Sequence, residues 1–238
     1  MNVLLIDNTL DQDSWGSAEL VHSIHEAGPA TIFVRRAPHT DLPAISSLGR
    51  FDRIILSGSR TAATESGDWI SGLEELIRHA LERGIPMLGV CYGHQSIARV
   101  LRGNDGSMNV RRSATPEIGW TEIRRTPGPR KARDLLDGLP DKFHSFSVHH
   151  DEVCTLPSRA NLLAQSDRCA IQAFSLEEKP AFGVQFHPER DVEAGEKTIA
   201  ASAKKKLGFP LLNPGSGTRL HSPLVARTIF GNFLKGCW

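Results

Sequence analysis

A cysteine flanked by glycines is the first feature of this sequence that could do chemistry. The apolar run Leu88-Gly89-Val90 leads into Cys91, and Tyr92-Gly93-His94-Gln95 follows at the start of a predicted helix. A tight turn from strand to helix keeps its central side chain accessible, and small neighbours let the turn close. The free N–H groups at a helix start favour the nucleophilic thiolate. A buried cysteine that serves only as a small hydrophobic residue is the alternative that this segment leaves open.

A second strand end carries the groups that such a nucleophile needs. Thiol-dependent acyl transfer requires a base, and the base requires a group that holds its orientation. His187-Pro188-Glu189 offers both directly after the apolar run from Phe182 to Phe186. Because ligands bind at the carboxyl ends of strands in open α/β sheets, we expect His187 and Glu189 to lie near Cys91.

The elements that must position these residues fall into two parts. In the first hundred residues apolar runs alternate with helical patterns, which predicts a parallel sheet with helices on both faces. The predicted strands are 3–6, 31–34, 53–56 and 86–90, and the predicted helices are 17–27, 69–81 and 95–101, the last one ending before Gly103. Strand-like pieces follow at 118–123, 143–148, 161–164, 170–174 and 181–186, and helices at 192–206 and 222–235. The sequence therefore predicts an α/β fold with a mostly parallel central sheet flanked by helices and an added antiparallel β section.

Composition narrows the class of protein. The 238 residues are 39% hydrophobic and 23% charged, as in ordinary globular proteins, and this length predicts one α/β domain spanning 1–238. The net charge of +1 gives no broad field for nucleic acid or anionic membrane, which favours a small-molecule partner. The start has no basic signal region and no apolar run reaches about 18 residues, so we expect a cytoplasmic protein. Four scattered cysteines argue against a disulfide framework and a zinc site.

Taken together, the two motifs resemble those of the class I glutamine amidotransferases. The segment from Gly89 to Gln95 is similar to the family's Gly-x-Cys-x-Gly-x-Gln motif, and His187-Pro188-Glu189 is similar to the end of its triad. The spacing of nearly 100 residues and the loop Ser57-Gly58-Ser59 also fit, so the resemblance covers about residues 3 to 190. It implies the flavodoxin-like fold of that family.

The resemblance also implies a role for each residue. Cys91 would attack the side-chain amide of glutamine, His187 would act as base and then as acid for the leaving amine, and Glu189 would orient His187. The backbone N–H groups of Gly58 and Tyr92 would stabilise the oxyanion. The products would be glutamate and ammonia, formed through a γ-glutamyl thioester.

Further residues are expected to hold the substrate. The resemblance makes Gln95, Val148 and His149 candidate contacts of glutamine. The run from His149 to Glu152 contains metal-capable residues, but successive residues of an extended chain alternate faces, so we expect no metal there. No phosphate-binding loop or Gly-x-Gly-x-x-Gly occurs, and we expect no cofactor.

Two departures from the family pattern stand out. Ser59-Arg60 occupies the place where the family's oxyanion loop commonly has a proline, so the loop is more mobile or recognises something different. A C-terminal insertion at about 191–220, with Lys204-Lys205-Lys206, lengthens the tail. It is a partner surface, a lid, or simply a solvated helix end followed by a loop.

Three functions remain open from the sequence. Because no ATP site is recognisable, the first is a stand-alone glutaminase component that delivers ammonia to a separate synthetase subunit. The second is a γ-glutamyl peptide or conjugate hydrolase, since His149 to Val153 and Gln172 to Phe174 resemble the γ-glutamyl peptidase branch of the family. The third is a catalytically silent binding domain, supported only by Ser59 and the insertion.

Overall fold

A computed structural model describes residues 1–102, 107–126 and 134–236. In this part of the chain nine strands form one sheet, in the order β2-β1-β3-β4-β9-β8-β7-β5-β6. The strands are β1 (Asn2–Asp7), β2 (Thr31–Arg36), β3 (Arg53–Leu56), β4 (Met87–Val90), β5 (Val110–Arg125), β6 (Lys142–Val153), β7 (Ala160–Gln165), β8 (Ala173–Leu176) and β9 (Ala181–Val184). The helices are α1 (Ala18–Ala27), α2 (Asp68–Glu82), α3 (Tyr92–Leu101), α4 (Val192–Ala203), α5 (Gly217–Leu220) and α6 (Pro223–Lys235).

Half of the sheet is parallel and covered on both faces. Strands β2, β1, β3, β4 and β9 pair in parallel, and every residue of β4 and β9 is buried. Strands that are buried on both faces appear in the sequence as continuous apolar runs, which is why these were predictable. Leu20 of α1 and Phe233 of α6 belong to one core, and Leu73 of α2 and Ile97 of α3 belong to the other.

The second half of the sheet is antiparallel. It begins where β8 pairs with β9 and ends in the long hairpin-like pair β5 and β6, which has a bulge between Arg112 and Glu117. The predicted fold class, a parallel sheet flanked by helices with an antiparallel section, is therefore confirmed. The span of the single domain, 1–238, stays a prediction.

The C-terminal insertion is docked on this antiparallel part. Ile199 of α4 packs with Trp120 and Phe146, and the Glu196 carboxylate accepts hydrogen bonds from Trp120 Nε1 at 3.0 Å and from the backbone of Gly217 at 2.8 Å. Leu212 adds a backbone bridge to β5. Lys204, Lys205 and Lys206 at the end of α4 are exposed and much of the following loop is exposed as well, so a solvated helix end and loop stays a prediction beside the partner surface and the lid.

Element boundaries differ from the predictions where local geometry outweighs the apolar pattern. The third helix begins at Tyr92 rather than at 95, directly after Cys91. The strand predicted at 118–123 extends over Val110–Arg125, because paired backbone continues through polar residues. Two short 3₁₀ helices, Ala37–His39 and Ile45–Arg50, carry no periodic pattern and were not predicted. The third helix ends at Leu101, as predicted, whereas Gly103 and Cys237 lie outside the described residues.

None of the helices in the described ranges is long and apolar enough to cross a membrane.

Gly93 is the position at which α3 meets the sheet most closely. A Cβ atom there would overlap the carbonyl oxygen of Leu56 and come within 2.6 Å of the Leu56 Cβ. We expect Gly93→Ala to lower the free energy of unfolding by about 1–3 kcal/mol or more, since a strand and a helix must separate to admit one methyl group. Denaturant titration would measure this loss.

Gly231→Ala is the matched control. Gly231 lies within α6, and a Cβ there meets no atom within 4 Å. We expect this substitution to stabilise the protein by about 0.5–1 kcal/mol through helix propensity. Equal stability of the Gly93 and Gly231 variants would contradict the packing argument.

Candidate active site

Cys91 occupies a strained turn between β4 and α3. Its φ of 52° lies in a region that residues other than glycine rarely adopt, at a cost of about 1–3 kcal/mol. Its N–H donates to the Val184 carbonyl at 2.8 Å, and its carbonyl accepts from the Gln95 N–H at 3.0 Å. Backbone bonds to a neighbouring strand and to the helix thus hold the turn and fix the thiol at the carboxyl edge of the sheet.

His187 reaches the same edge from the end of β9. Its N–H donates to the Phe146 carbonyl at 2.7 Å, which ties it to β6. Its ring Nδ1 donates to Glu189 Oε1 at 2.6 Å, and the two side chains are only 8% and 5% exposed. A short bond to a buried carboxylate fixes the ring and directs Nε2 to other partners. Nε2 makes no well-aligned hydrogen bond to a described residue.

The electrostatics of His187 are set by its two neighbours. Burial alone lowers its pKa, but the charge of Glu189 and then the interactions with Cys91 outweigh burial and raise the pKa to about 10. The imidazole is therefore protonated at neutral pH.

Gly58 lies against the side chains of Cys91 and His187. A Cβ at this position would lie 3.0 Å from His187 Cε1 and 3.6 Å from Cys91 Cβ, so the loop passes directly over them. The loop is anchored, because the Ser57 carbonyl accepts from the Gly93 N–H at 3.1 Å and from Asn8 Nδ2 at 2.9 Å. Within the described residues the N–H groups of Gly58 and Tyr92 donate to no protein acceptor, so both are free for a ligand.

The two other predicted contacts, Gln95 and Val148, border the same cavity as Cys91. Gln95 is buried, and its Nε2 donates to the Asp151 carbonyl at 2.8 Å and to Gln185 Oε1 at 3.0 Å. The Val148 carbonyl lies 3.9 Å from the Cys91 sulfur. Their roles in binding stay predictions.

His149, the third predicted contact, has its side chain engaged inside the protein. Its Nε2 lies 3.0 Å from Glu117 Oε2 and its Nδ1 lies 3.0 Å from the Asp151 carbonyl, and the side chain is 1% exposed. The imidazole is therefore committed to the protein interior. Although His149 borders the cavity, only its backbone remains for the predicted contact with substrate.

Glu117 centres a buried polar network that the sequence analysis missed. Ser166 Oγ donates to its Oε1 at 2.6 Å, while Gln172 Nε2 donates to Oε2 at 2.6 Å. The His149 ring contacts the same carboxylate through Nε2, so Glu117 has three polar side chains around it. A single glutamate in a strand pattern gives no sequence signal for such a network.

The metal-capable run from His149 to Glu152 is used within the protein. Asp151 Oδ2 accepts from the Ala63 N–H at 2.7 Å, and Glu152 accepts from Arg111 at 2.9 Å and Ser113 at 3.0 Å. Across residues 1–102, 107–126 and 134–236 no three His, Cys, Asp or Glu side chains are grouped as metal ligands.

A cavity of about 1010 Å³ opens beside Cys91. It is bounded by the loop after β3, by the middle of β6 and by α4 of the insertion. The cavity therefore extends from the Cys91 thiol to α4 of the C-terminal insertion.

A family model for "Glutamine amidotransferase class-I" matches residues 10–205, which include Cys91, His187 and Glu189. This chain belongs to the class I glutamine amidotransferase family. This confirms the predicted family. It also confirms the prediction that the chain belongs to a family of enzymes.

Relatives with assigned names are similar over much of the chain. One subunit of the glutamine-hydrolysing GMP synthase of Methanocaldococcus jannaschii is 32% identical over 79% of this chain and 87% of its own length. The corresponding protein of Pyrococcus furiosus is 40% identical over 49% of this chain. That match covers 57% of the length of the Pyrococcus furiosus protein. The GMP synthase of Aeropyrum pernix is 34% identical over 76% of this chain, and this match covers 32% of its length.

Solved structures share the fold. A glutamine amidotransferase from Methylobacillus flagellatus has a TM-score of 0.78 at 23% identity, covering 99% of this chain and 94% of that chain. One from Thermotoga maritima has a TM-score of 0.70 at 21% identity, with coverage of 99% and 95%. At these identities the likeness extends to the arrangement of helices and strands.

The His187–Glu189 bond predicts the pH dependence of turnover. Since the raised pKa keeps His187 protonated up to about pH 10, we expect kcat/KM to fall above that pH as the acid is lost. Glu189→Gln removes the largest charge that raises the pKa, so the alkaline limb should move to lower pH. The same linkage stabilises the fold below the unfolded pKa of 6.5 and is lost as pH rises through about 10.

Glu193→Gln is the electrostatic control for this profile. It neutralises a nearby acid that borders the cavity but does not bond to His187. An alkaline limb that shifts equally in both variants would show that Glu189 does not act through its hydrogen bond.

The buried network predicts an asymmetry between two glutamates of β5. Glu117→Ala leaves the donors on His149, Ser166 and Gln172 unpaired, and we expect it to cost about 3–5 kcal/mol of unfolding free energy. Glu122→Ala removes only partly exposed ion pairs with Arg124 and Lys142 and should cost about 0–1 kcal/mol. Denaturant midpoints that coincide for the two variants would refute the network's role in stability.

Proposed function

We propose that this chain hydrolyses the γ-glutamyl amide bond of glutamine with Cys91, His187 and Glu189. The observation that supports this most directly is the 2.6 Å contact of His187 with Glu189 on one ring nitrogen, with the Cys91 side chain beside the ring. Nucleophile, base and orienting carboxylate thus occur in the order that acyl transfer needs.

The first half-reaction forms the thioester. The Cys91 sulfur bonds to the amide carbon, and the carbonyl electron pair moves to oxygen. The N–H groups of Gly58 and Tyr92 are free to stabilise this oxyanion. When the carbon–nitrogen bond breaks, His187 gives its proton to the departing nitrogen, which leaves as ammonia.

The second half-reaction releases glutamate. A water molecule takes the place of ammonia, His187 accepts its proton, and the hydroxyl oxygen bonds to the thioester carbon. The carbon–sulfur bond then breaks and restores Cys91. Glu189 stabilises the imidazolium in both halves without changing its own protonation.

Substrate is held, in this proposal, by groups that already have fixed positions. Gln95 is locked by Asp151 and Gln185, and Val148 presents its carbonyl towards the sulfur. Fixed polar groups orient a small substrate at low entropic cost.

The ammonia is proposed to pass to a separate synthetase subunit. The support comes from the relatives of Pyrococcus furiosus and Methanocaldococcus jannaschii, which are named as one subunit of a glutamine-hydrolysing GMP synthase, a name that implies at least one further subunit. The synthetase that accepts the ammonia is to be identified by the same glutamate-release test that measures the activity.

A second candidate is the hydrolysis of larger γ-glutamyl conjugates by the same triad. The cavity of about 1010 Å³ favours it, because this volume is at the upper end of the ~300–1,000 Å³ typical of drug-sized ligands. The amide nitrogen of glutamine carries only hydrogens and needs little of that space.

The test is glutamate release by the purified chain from glutamine and from a panel of γ-glutamyl amides. We expect Cys91→Ala to remove release completely while the fold and melting temperature persist. Cys154→Ala, which changes a free and partly buried cysteine away from the cavity, should leave release unchanged.

The outcomes separate the candidates. Release from glutamine that increases on adding a synthetase supports the amidotransferase, and strong release from bulky amides supports the conjugate hydrolase. Wild-type turnover by Cys91→Ala would disprove the triad, and an intact protein that releases nothing from any substrate would point to a binding domain.

A further inference from the structure

The cavity beside Cys91 has one wall that the triad chemistry leaves without a role. This wall is α4, which begins three residues after Glu189 and runs for about 18 Å. It carries Ala194, Lys197 and Ala201 on its cavity side. Lys205 borders the cavity just beyond the helix end. The wall therefore extends from the reactive centre to the far end of the cavity.

The wall is held firmly from behind. Ile199 packs on Trp120, and the Glu196 carboxylate accepts from the backbone of Gly215 at 3.0 Å as well as from Gly217. The side chains on the cavity side are therefore presented by a fixed helix. This distinguishes α4 from a helix that closes over the site only on binding.

Five acids and five basic residues border the cavity, and they differ in how they are paired. Glu19 pairs with Arg190 and Asp151 with Arg112, while Asp191 caps the first turn of α4. Within the described residues the Lys197 and Lys205 side chains have no ion pair or hydrogen bond. The two lysines are therefore distinguished by the lack of a partner, and not by an excess of positive charge in the cavity.

The far end of the cavity is bordered by groups from different elements. His150 of β6 lies there, and its pKa is lowered by burial, then by Arg112 of β5, with Lys205 adding to the effect, while Asp151 opposes the shift. Lys205 borders the same end without a partner in the described residues. An anion placed here would interact favourably with the Lys205 side chain.

From this arrangement we propose that α4 forms a subsite for an anionic group on the amine side of the scissile bond, bound by Lys197 and Lys205. The preferred substrates are then γ-glutamyl amides whose amine carries a carboxylate or a phosphate. The inference rests on the proposed triad chemistry and specifies what the conjugate hydrolase would accept. Free glutamine fills the reactive centre but leaves the subsite empty.

The experiment compares substrates that differ only in charge. γ-Glutamylglycine and the γ-glutamyl amide of phosphoethanolamine carry a carboxylate and a phosphate, while γ-glutamylglycinamide is the neutral match of the first. We expect kcat/KM to favour the anionic substrates over the neutral one by about tenfold, and this preference to shrink at 1 M salt. The better of the two anions identifies the group that the subsite takes.

The sequence supplies a matched pair of charge reversals. Lys197→Glu with Lys205→Glu should abolish or invert the preference for γ-glutamylglycine over its amide. Lys204→Glu with Lys206→Glu changes the same net charge on neighbouring lysines that do not border the cavity, and should retain it. Equal efficiency on the acids and the amide, or equal loss in both double variants, would overturn the subsite.

A binding measurement keeps this result separate from that of the proposed function. Calorimetry with Cys91→Ala compares the affinity for γ-glutamylglycine with that for γ-glutamylglycinamide without any turnover. Tighter binding of the acid that depends on Lys197 and Lys205 supports the subsite even if the triad assignment fails. Equal binding of acid and amide rejects it even if hydrolysis is observed.

Discussion

The close crossing of α3 over the ends of β3 and β4 is the constraint on which the site depends. Gly89 and Gly93 have no room for a side chain, so the chain must turn sharply between them and Cys91 must take a positive φ. The same crossing brings the Ser57 carbonyl to the Gly93 N–H and so places Gly58 over the thiol. Thiol and loop are therefore positioned by one contact, which explains why a strained residue persists there.

The sequence alone predicted the elements that have a regular apolar pattern and the turn that carries unusual residue types. Continuous apolar runs identified the parallel strands, and glycines spaced around Cys91 identified the turn. It was not sufficient for His149 or for Glu117, because the alternation of a strand does not show which neighbour a side chain meets. The bulge between Arg112 and Glu117 sets that register, and it arises from pairing with β6 rather than from any local pattern.

Two histidine–glutamate pairs show how the surroundings of the same two residue types lead to different roles. His187 has a carboxylate on one side and a thiol on the other, so its second nitrogen faces the reactive centre. His149 has an oxygen beside each ring nitrogen, so its imidazole has no nitrogen left for a substrate. A third histidine, His94, is buried against Phe174, and burial lowers its pKa to about 3, which keeps it neutral.

In the proposed subsite, the insertion determines which substrates the protein distinguishes. It does so without altering Cys91, His187 or Glu189. In the proposed mechanism the triad acts on a γ-glutamyl carbonyl, and every such amide passes through the same thioester whatever amine departs. Selectivity must therefore come from groups beyond the nitrogen, and α4 is the element that lies there because it follows Glu189 directly in the chain. Glu196 and Ile199 anchor α4 on β5 and so fix the position of Lys197 on the cavity wall. In the proposed subsite, charge on the departing amine would thereby influence a step whose bonds it does not touch.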